Sequence, residues 1–376
     1  QVRKEDWIPS QADLQGVLNL YLPKFSYLRI GRSGAPVYIK AGSIKDATLG
    51  NGFIVGSYDN TRFMPDKRII GLNFDVDGRA FDFPLIGFQT FAGNLAVLDV
   101  LAGRLFIRPF SGMGIPIIDG LQLGGTYAID QDPDQHDSTS SLPGKTVSVL
   151  GGDLLLPLIR EELLTLNVHA DYAQIITSDS PDTIPSGTAV GATAQVLKFL
   201  NWKAQIRFLD ANFVPGYFGP TYDLTRVSKY NTLSSDTGEA HTGWLASGGF
   251  NLLDGGVVFN ILLEGPVGTP DPGNTLSELN HPHLRGVFLV SEGLIPNFSM
   301  NAVYDKTLIG VDSSGNPIDF FKDLFDPSTD TVIEAHLNYK TGPALITLEY
   351  KLTFDPTNPS NPPSIASSVE TKLVIF

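Results

Sequence analysis

The chain has 376 residues, 42% of them apolar, with 38 glycines, 26 prolines, 23 phenylalanines and no cysteine. Its formal charge is −14 and only 18% of residues are charged, against roughly 25% in an ordinary soluble domain. This composition excludes a disordered chain, thiol chemistry, disulfide staples and Cys-type zinc sites, and it argues against a nucleic-acid partner, which needs clustered Lys and Arg. The longest charge-free stretch, Phe83 to Leu98, has 16 residues, whereas a helical membrane span needs about 18 or more. The first residue is Gln1 and no signal-like apolar segment follows, which fits a processed, exported chain or a trimmed one.

Residues 1–35 read as a first strand pair or a plug-like segment, with Val17–Leu22 and Phe25–Gly31 available for one further hairpin. From there, strands are expected near 36–43, 67–76, 81–91, 98–109, 117–129, 145–156, 162–175, 187–199, 202–212, 242–253, 256–264, 283–294, 298–305, 330–340, 344–354 and 366–376. That makes about 16, within a range of 14–18. The basis is period-2 alternation, since successive side chains of a strand point to opposite faces. Leu164, Leu166, Val168, Ala170 and Tyr172 oppose Thr165, Asn167, His169 and Asp171. Trp202, Ala204, Ile206 and Phe208 oppose Lys203, Gln205 and Arg207. Ile333, Ala335, Leu337 and Tyr339 oppose Glu334, His336, Asn338 and Lys340. Ile346, Leu348, Tyr350 and Leu352 oppose Thr347, Glu349, Lys351 and Thr353. Two segments mix their faces, Leu98–Pro109 and Leu284–Gly293. Helical periodicity is nearly absent; Ile318–Phe325 offers one short helix inside a loop.

Most segments run about 9–13 residues, longer than the usual 5–6 of globular strands, and a tilted transmembrane strand needs about 9–11. Connections alternate by length through the last two-thirds of the chain. Long ones lie at 131–143, 176–186, 213–238, 265–282, 306–329 and 355–364, and short ones near 159–161, 200–201, 254–255, 295–297 and 341–343. A membrane barrel sorts its connections this way because its rims face different compartments. The sequence ends inside a strand at Phe376.

Together these features resemble the Gram-negative outer-membrane β-barrels, in particular the porin-like channels. The resemblance covers roughly residues 36–376 and is architectural. Val374 and Phe376 match the family's carboxy-terminal assembly signal; Glu370 and Lys372 depart from it. It implies an all-β, antiparallel transmembrane barrel (residues 36–376, preceded by the segment 1–35) with short periplasmic turns and long extracellular loops. It also implies a place in the bacterial outer membrane and contact with the lipid bilayer and lipopolysaccharide. The expected function is passive diffusion of small hydrophilic solutes or ions, by a monomer or a homo-oligomer, without a cofactor and without catalysis. Two alternatives stand beside it: a plugged or gated importer of an apolar or extended substrate, and a surface adhesin anchored by a barrel.

The chemistry of the residues fits a channel better than an enzyme. There is no HExxH, no nucleophile elbow (Gly31–Ala35 misses its last glycine) and no phosphate-binding fingerprint. Asp130, Asp132, Asp134 and Asp137 begin like a calcium loop and then fail, with Gln135 at the turn position and Ser141 where the bidentate Glu should be. They read as a solvated acidic loop, with weak divalent binding as the lesser alternative. His281 and His283 flank Pro282 at a loop end. The expected pore-lining residues are Arg104, Arg108, His169, Lys203, Gln205, Arg207, Glu334, His336, Glu349 and Lys351, because a charge on the lipid face costs about 2–4 kcal/mol at the midplane.

Three further expectations concern particular segments. The connection Ile44–Asp66 either folds into the lumen as a constriction or forms an exposed hairpin. The aromatic-rich loop 213–238, with Phe213, Tyr217, Phe218, Tyr222, Tyr230, Arg226 and Lys229, packs on itself or meets a ligand. In the last hairpins, paired residue numbers summing to 685 set Glu334 against Lys351 and His336 against Glu349, whereas 683 sets two glutamates together. Opposite charges across a strand pair stabilise and like charges destabilise, so 685 is favoured, with Lys203 and Arg207 left as unpaired basic groups.

Overall fold

The computed structural model describes residues 17, 27–31, 33–64, 67–136, 142–179, 184–233, 238–253, 255–328, 330–342, 344–353 and 364–373. Within these lie seventeen strands: β1 Tyr27–Ile30, β2 Val37–Gly42, β3 Gly71–Asp77, β4 Ile86–Ala92, β5 Val100–Ile107, β6 Gln122–Asp130, β7 Val147–Arg160, β8 Leu164–Thr177, β9 Ser186–Val196, β10 Leu200–Leu209, β11 His241–Leu252, β12 Val257–Pro266, β13 His283–Ile295, β14 Phe298–Lys306, β15 Thr331–Thr341, β16 Ala344–Thr353 and β17 Ser364–Leu373. Sixteen coincide with the expected segments; β1 is an addition, at the site of the proposed extra hairpin. The helices α1 (Tyr222–Leu233) and α2 (Phe320–Asp323) are the longer helical segments described. α2 falls where a short helix was expected, but the twelve-residue α1 does not follow from the sequence reading. No helix among the described residues is long and apolar enough to cross a membrane.

The chain divides into two compact units, residues 1–156, 169–189 and 212–235 forming the first and residues 157–168, 190–211 and 236–376 the second. In the first, β1 to β7 pair consecutively and antiparallel. In the second, β10 to β17 do the same. β7, β8 and β9 contribute residues to both units. Antiparallel order puts alternate connections at the same end of a unit, and the length alternation follows it: 161–163, 197–199, 253–256, 296–297 and 342–343 are short, while 131–146, 178–185, 210–240, 267–282 and 307–330 are long. The β16–β17 connection, Val374, Phe376, Asp137 and most of residues 1–35 lie outside the described residues.

The distribution of polarity across the strands is the reverse of a soluble sandwich. On β10, Gln205 and Arg207 are buried while Trp202, Ile206 and Phe208 are exposed. Glu334, His336, Glu349 and Lys351 are buried on β15 and β16, and Tyr339, Ile346, Leu348 and Tyr350 are exposed. Charge inside and hydrocarbon outside is the pattern of a transmembrane β-barrel wall, whose outer face is solvated by lipid. The fold class is therefore all-β, with antiparallel strands of membrane-spanning length in β7 to β16.

The β15–β16 hairpin has the register that charge complementarity favours, with Glu334 opposite Lys351, His336 opposite Glu349 and Thr341 opposite Ala344. The Lys351 ammonium lies 3.7 Å from the Glu334 carboxylate. The tight turn holds Gly342 at φ +58°, a conformation that costs glycine little. The mixed segment 284–293 also has a local cause: the β13–β14 register shifts between Val290 and Ile295.

If this outer face meets lipid, Ile206→Lys should destabilise the protein in phospholipid vesicles by about 2–4 kcal/mol, read as a lower urea midpoint. An unchanged midpoint would place Ile206 in water.

Candidate functional site

In the first unit the buried face of the sheet is covered by the chain's own loops. The connection 43–70, between β2 and β3, turns onto that face: Ile44, Ala47, Leu49, Phe53, Val55 and Tyr58 are all buried. Residues 212–233, from the β10–β11 connection, pack against it. Val55 bridges Phe218 in parallel, the Gly216 amide donates to the Phe53 carbonyl (2.7 Å), and the Phe218 amide to that of Ile54 (3.2 Å). Phe53 stacks on Phe213 with centroids 5.5 Å apart, and the Arg62 Nε donates to the Pro220 carbonyl at 2.8 Å. The two loops thus form one insert with a small aromatic core. Of the two alternatives for 44–66, the inward-folded one holds; the aromatics of 213–238 pack on each other and on this first loop.

The wall is shaped to receive the insert. Tyr58 packs on Phe91 of β4 (4.9 Å), and Asn60 donates to the Gly93 carbonyl (2.8 Å) while accepting from the Ile44 amide (2.8 Å). Asn51 donates to Asp171 of β8 at 2.9 Å. Inward residues near this seat are apolar: Val100 on β5, Val147 and Val149 on β7, Ala173 and Ile175 on β8 and Ala189 on β9 are fully buried. Gly187 underlies the Phe213 ring, where a Cβ would come within 2.5 Å of it. The segment 98–109 mixes its faces for this reason. Val100, Ala102 and Phe106 share the inner face with Arg104 and Arg108, because an apolar insert covers part of it.

A buried ionic cluster fastens the insert to the wall. Arg226 of α1 reaches Asp99 (2.6 Å), Asp130 (3.4 Å) and Asp223 (2.6 Å). Tyr58 donates to Asp223 at 3.1 Å and Tyr222 to Asp130 at 2.7 Å. All six side chains are 3% exposed or less. Asp99 and Asp130 belong to the wall, the other four to the insert. Burial pushes the Asp223 carboxyl up, and the Arg226 guanidinium works against that shift. Burial and then the Asp223 carboxylate push the Tyr58 phenol well above its usual value. Asp59 behaves oppositely: burial would raise it, but Arg62 and the hydrogen bonds from Thr61 hold it below the usual carboxylate range.

Sequence reading did not foresee this cluster. The buried stripe of α1 (Tyr222, Asp223, Arg226, Lys229, Tyr230, Leu233) has helical spacing but is largely polar. Its only signal was the density of aromatic and basic residues in a long loop. Asp130 does not lie in a solvated acidic loop as expected: it is buried against the Arg226 guanidinium, and among the described residues no cluster of three or more acidic or histidine side chains is placed to hold a metal ion.

The expected pore-lining residues occupy the buried face of their strands, with Lys203 partly accessible. In the first unit, Arg104 makes a bidentate bond to Asp153 (2.7 and 2.6 Å) and Arg108 to Asp77 (2.9 and 2.6 Å). His169 is fully buried on β8. In the second, Arg207 is not an unpaired cation as expected: it meets Glu264 at 2.6 Å. His283 sits 3.0 Å from both Glu264 and Asp305, and Arg285 lies 2.7 Å from Asp305. Charges of alternating sign thus run from β10 to β14, and His283 belongs to this run rather than to a pair with His281.

No protein-family model matches the chain, and no curated protein does. Solved structures that resemble it include CdiB from Escherichia coli (12% identity, TM-score 0.45, covering 94% of this chain and 69% of that one). CdiB from Acinetobacter baumannii is also similar (10%, 0.36, 81% and 57%), as is P. aeruginosa FpvA bound to a heterologous pyoverdine (12%, 0.34, 89% and 46%). The chain spans less than two thirds of the length of the last two. Likenesses at these scores carry no functional argument. The inside-out polarity of the strands carries the fold instead: it is that of an antiparallel transmembrane β-barrel wall.

Arg226→Met leaves three buried carboxylates without their cation, a change that costs about 3–5 kcal/mol and should unseat the insert. A cysteine at the fully buried Val55 should then react with a water-soluble maleimide. Adding Asp99→Asn, Asp130→Asn and Asp223→Asn should restore protection, because neutral partners no longer need the guanidinium.

Proposed function

We propose that this chain is a gated outer-membrane channel for hydrophilic solutes, held closed at rest by the insert of residues 43–70 and 212–233. The observation that carries this is the insert itself: a loop pair with its own aromatic core, hydrogen-bonded and ion-paired to the charged face of the first unit. An open diffusion pore needs no such fastening. The wall beside it argues for a polar cargo, since Arg104, Asp153, Gln89, Gln122, Arg108 and Asp77 line that face in paired, hydrogen-bonded form. An apolar substrate would have to cross these groups. A ligand or partner opens the channel by binding the withdrawn insert better than the seated one, as any population shift requires.

The absence of native cysteine makes a locking test direct. Asn51→Cys and Asp171→Cys, joined by a short bis-maleimide, should fix the insert to β8. Planar-bilayer recordings should show small, intermittent conductance for the wild type, large steady conductance for Arg226→Met, and near-silence once the linker is added to the pair. Large steady conductance in the wild type, unaffected by the linker, would mean passive diffusion instead.

The passive reading draws on the β15–β16 band, where acidic and basic groups face each other on the buried side. Rings of charge set ion selectivity. In channels opened by Arg226→Met, Lys351→Gln should leave Glu334 uncompensated and move the reversal potential in a salt gradient toward cation selectivity. No movement would put Lys351 outside the conduction path.

A further inference from the structure

Three consecutive strands of the first unit, β3 to β5, are too short for the membrane they sit in. They have 7, 7 and 8 residues, whereas β7 and β8 have 14 each. At about 3.4 Å per residue and a tilt of 35–45°, a seven-residue strand rises roughly 17–20 Å, against an apolar band about 25 Å tall. The shortfall is several ångströms per strand and must be covered by something apolar.

The β3–β4 and β5–β6 connections lie at the same end of these strands, opposite the 43–70 loop, and both expose hydrocarbon. In 78–85, Phe81 is 68% exposed and Phe83 54%, beside the exposed charges of Arg79 and Asp82. In 108–121, Met113 is 61% exposed, and Ile115, Ile117 and Ile118 are also exposed. Residues 109–118 carry no charge. In this 109–118 differs from the short turns of the second unit: 161–163 begins with two glutamates and 197–199 carries Lys198.

The two connections are tied to each other and to the outer face. The Arg108 amide donates to the Leu85 carbonyl (2.7 Å), and its guanidinium bonds Pro84 O (3.1 Å) as well as Asp77. Segment 108–121 also turns its polar groups on itself: the Met113 amide donates to the Asp119 carboxylate (3.0 Å), the Asp119 amide to Ile115 O (3.0 Å) and the Leu121 amide to Ile118 O (2.8 Å). Internal satisfaction of this kind is what hydrocarbon demands. Ile86, Phe88, Leu105 and Ile107, exposed on β4 and β5, carry the apolar surface from the strands into the connections without a break.

We propose that residues 109–118, with the Phe81 and Phe83 rings beside them, form an apolar bracket that inserts into the leaflet at that end of the strands, with phospholipid acyl chains as its partner, and so completes a membrane belt that β3 to β5 are too short to build. The inference is independent of gating and needs only the membrane fold.

Single cysteines at Met113, Ile117, Leu105 and Glu162, each carrying a nitroxide, test it in phospholipid vesicles. Leu105 is the belt reference and Glu162, exposed on a short turn, the aqueous one. Power saturation should find Met113 and Ile117 accessible to oxygen and shielded from a water-soluble nickel chelate, as at Leu105, with the opposite pattern at Glu162. Nickel access at Met113 and Ile117 equal to that at Glu162 overturns the proposal, and so does shielding from both reagents, which would mean a protein partner. Nickel access at Leu105 would overturn the membrane fold itself. Retained heat-modifiable migration of each labelled protein checks that it is folded.

Discussion

Everything in this protein follows from solvating the outer face of a sheet with hydrocarbon. A residue facing lipid cannot be charged without a cost of about 2–4 kcal/mol near the midplane, so the charges a strand carries must point inward. Once inside they are no longer in bulk water, and each needs a partner. The buried side accordingly reads as a set of matched pairs: Arg104 with Asp153, Arg108 with Asp77, Arg207 with Glu264, Glu334 with Lys351. Removing one member of such a pair is far more disruptive than replacing both.

The same constraint explains how the loops of the first unit are held. The insert meets the wall through both apolar and charged groups, so its seat is divided. Phe91, Gly151 and Gly187 meet its Tyr58, Ile54 and Phe213 side chains, while Asp99 and Asp130 receive its cation. The cost of desolvating buried ions offsets much of their attraction, so a cluster of this sort adds little net stability. Three carboxylates around one guanidinium are an unbalanced set, sustained by the Tyr58 and Tyr222 hydroxyls.

Several features of this arrangement were legible in residue order. Opposite parity of apolar and charged residues on 202–208, 333–340 and 346–352 identified both faces. The hairpin register followed from one comparison of charges, Glu334 against Lys351 or against Glu349, because cross-strand neighbours interact directly and their spacing is fixed by the pleat. Even the segment that resisted reading, Leu98–Pro109, was informative. Alternation failed there because both of its faces are covered by hydrocarbon in places, one by lipid and one by the insert.

Face polarity and the register of the β15–β16 hairpin were therefore determined by sequence alone, since each depends on neighbours one or two positions away or on the next strand, whereas strand number was bounded only to within two. The path of the long connections was decided only in the tertiary structure. Arg226 and Asp99 are 127 positions apart, Asn51 and Asp171 are 120, and no local period relates them. α1 escaped for the same reason: its buried stripe is made of Tyr, Asp, Arg and Lys, which signal an inward face only when the partner charges are already in place. Arg207 looked unpaired because Glu264 stands two strands away, beyond the reach of any nearest-strand comparison.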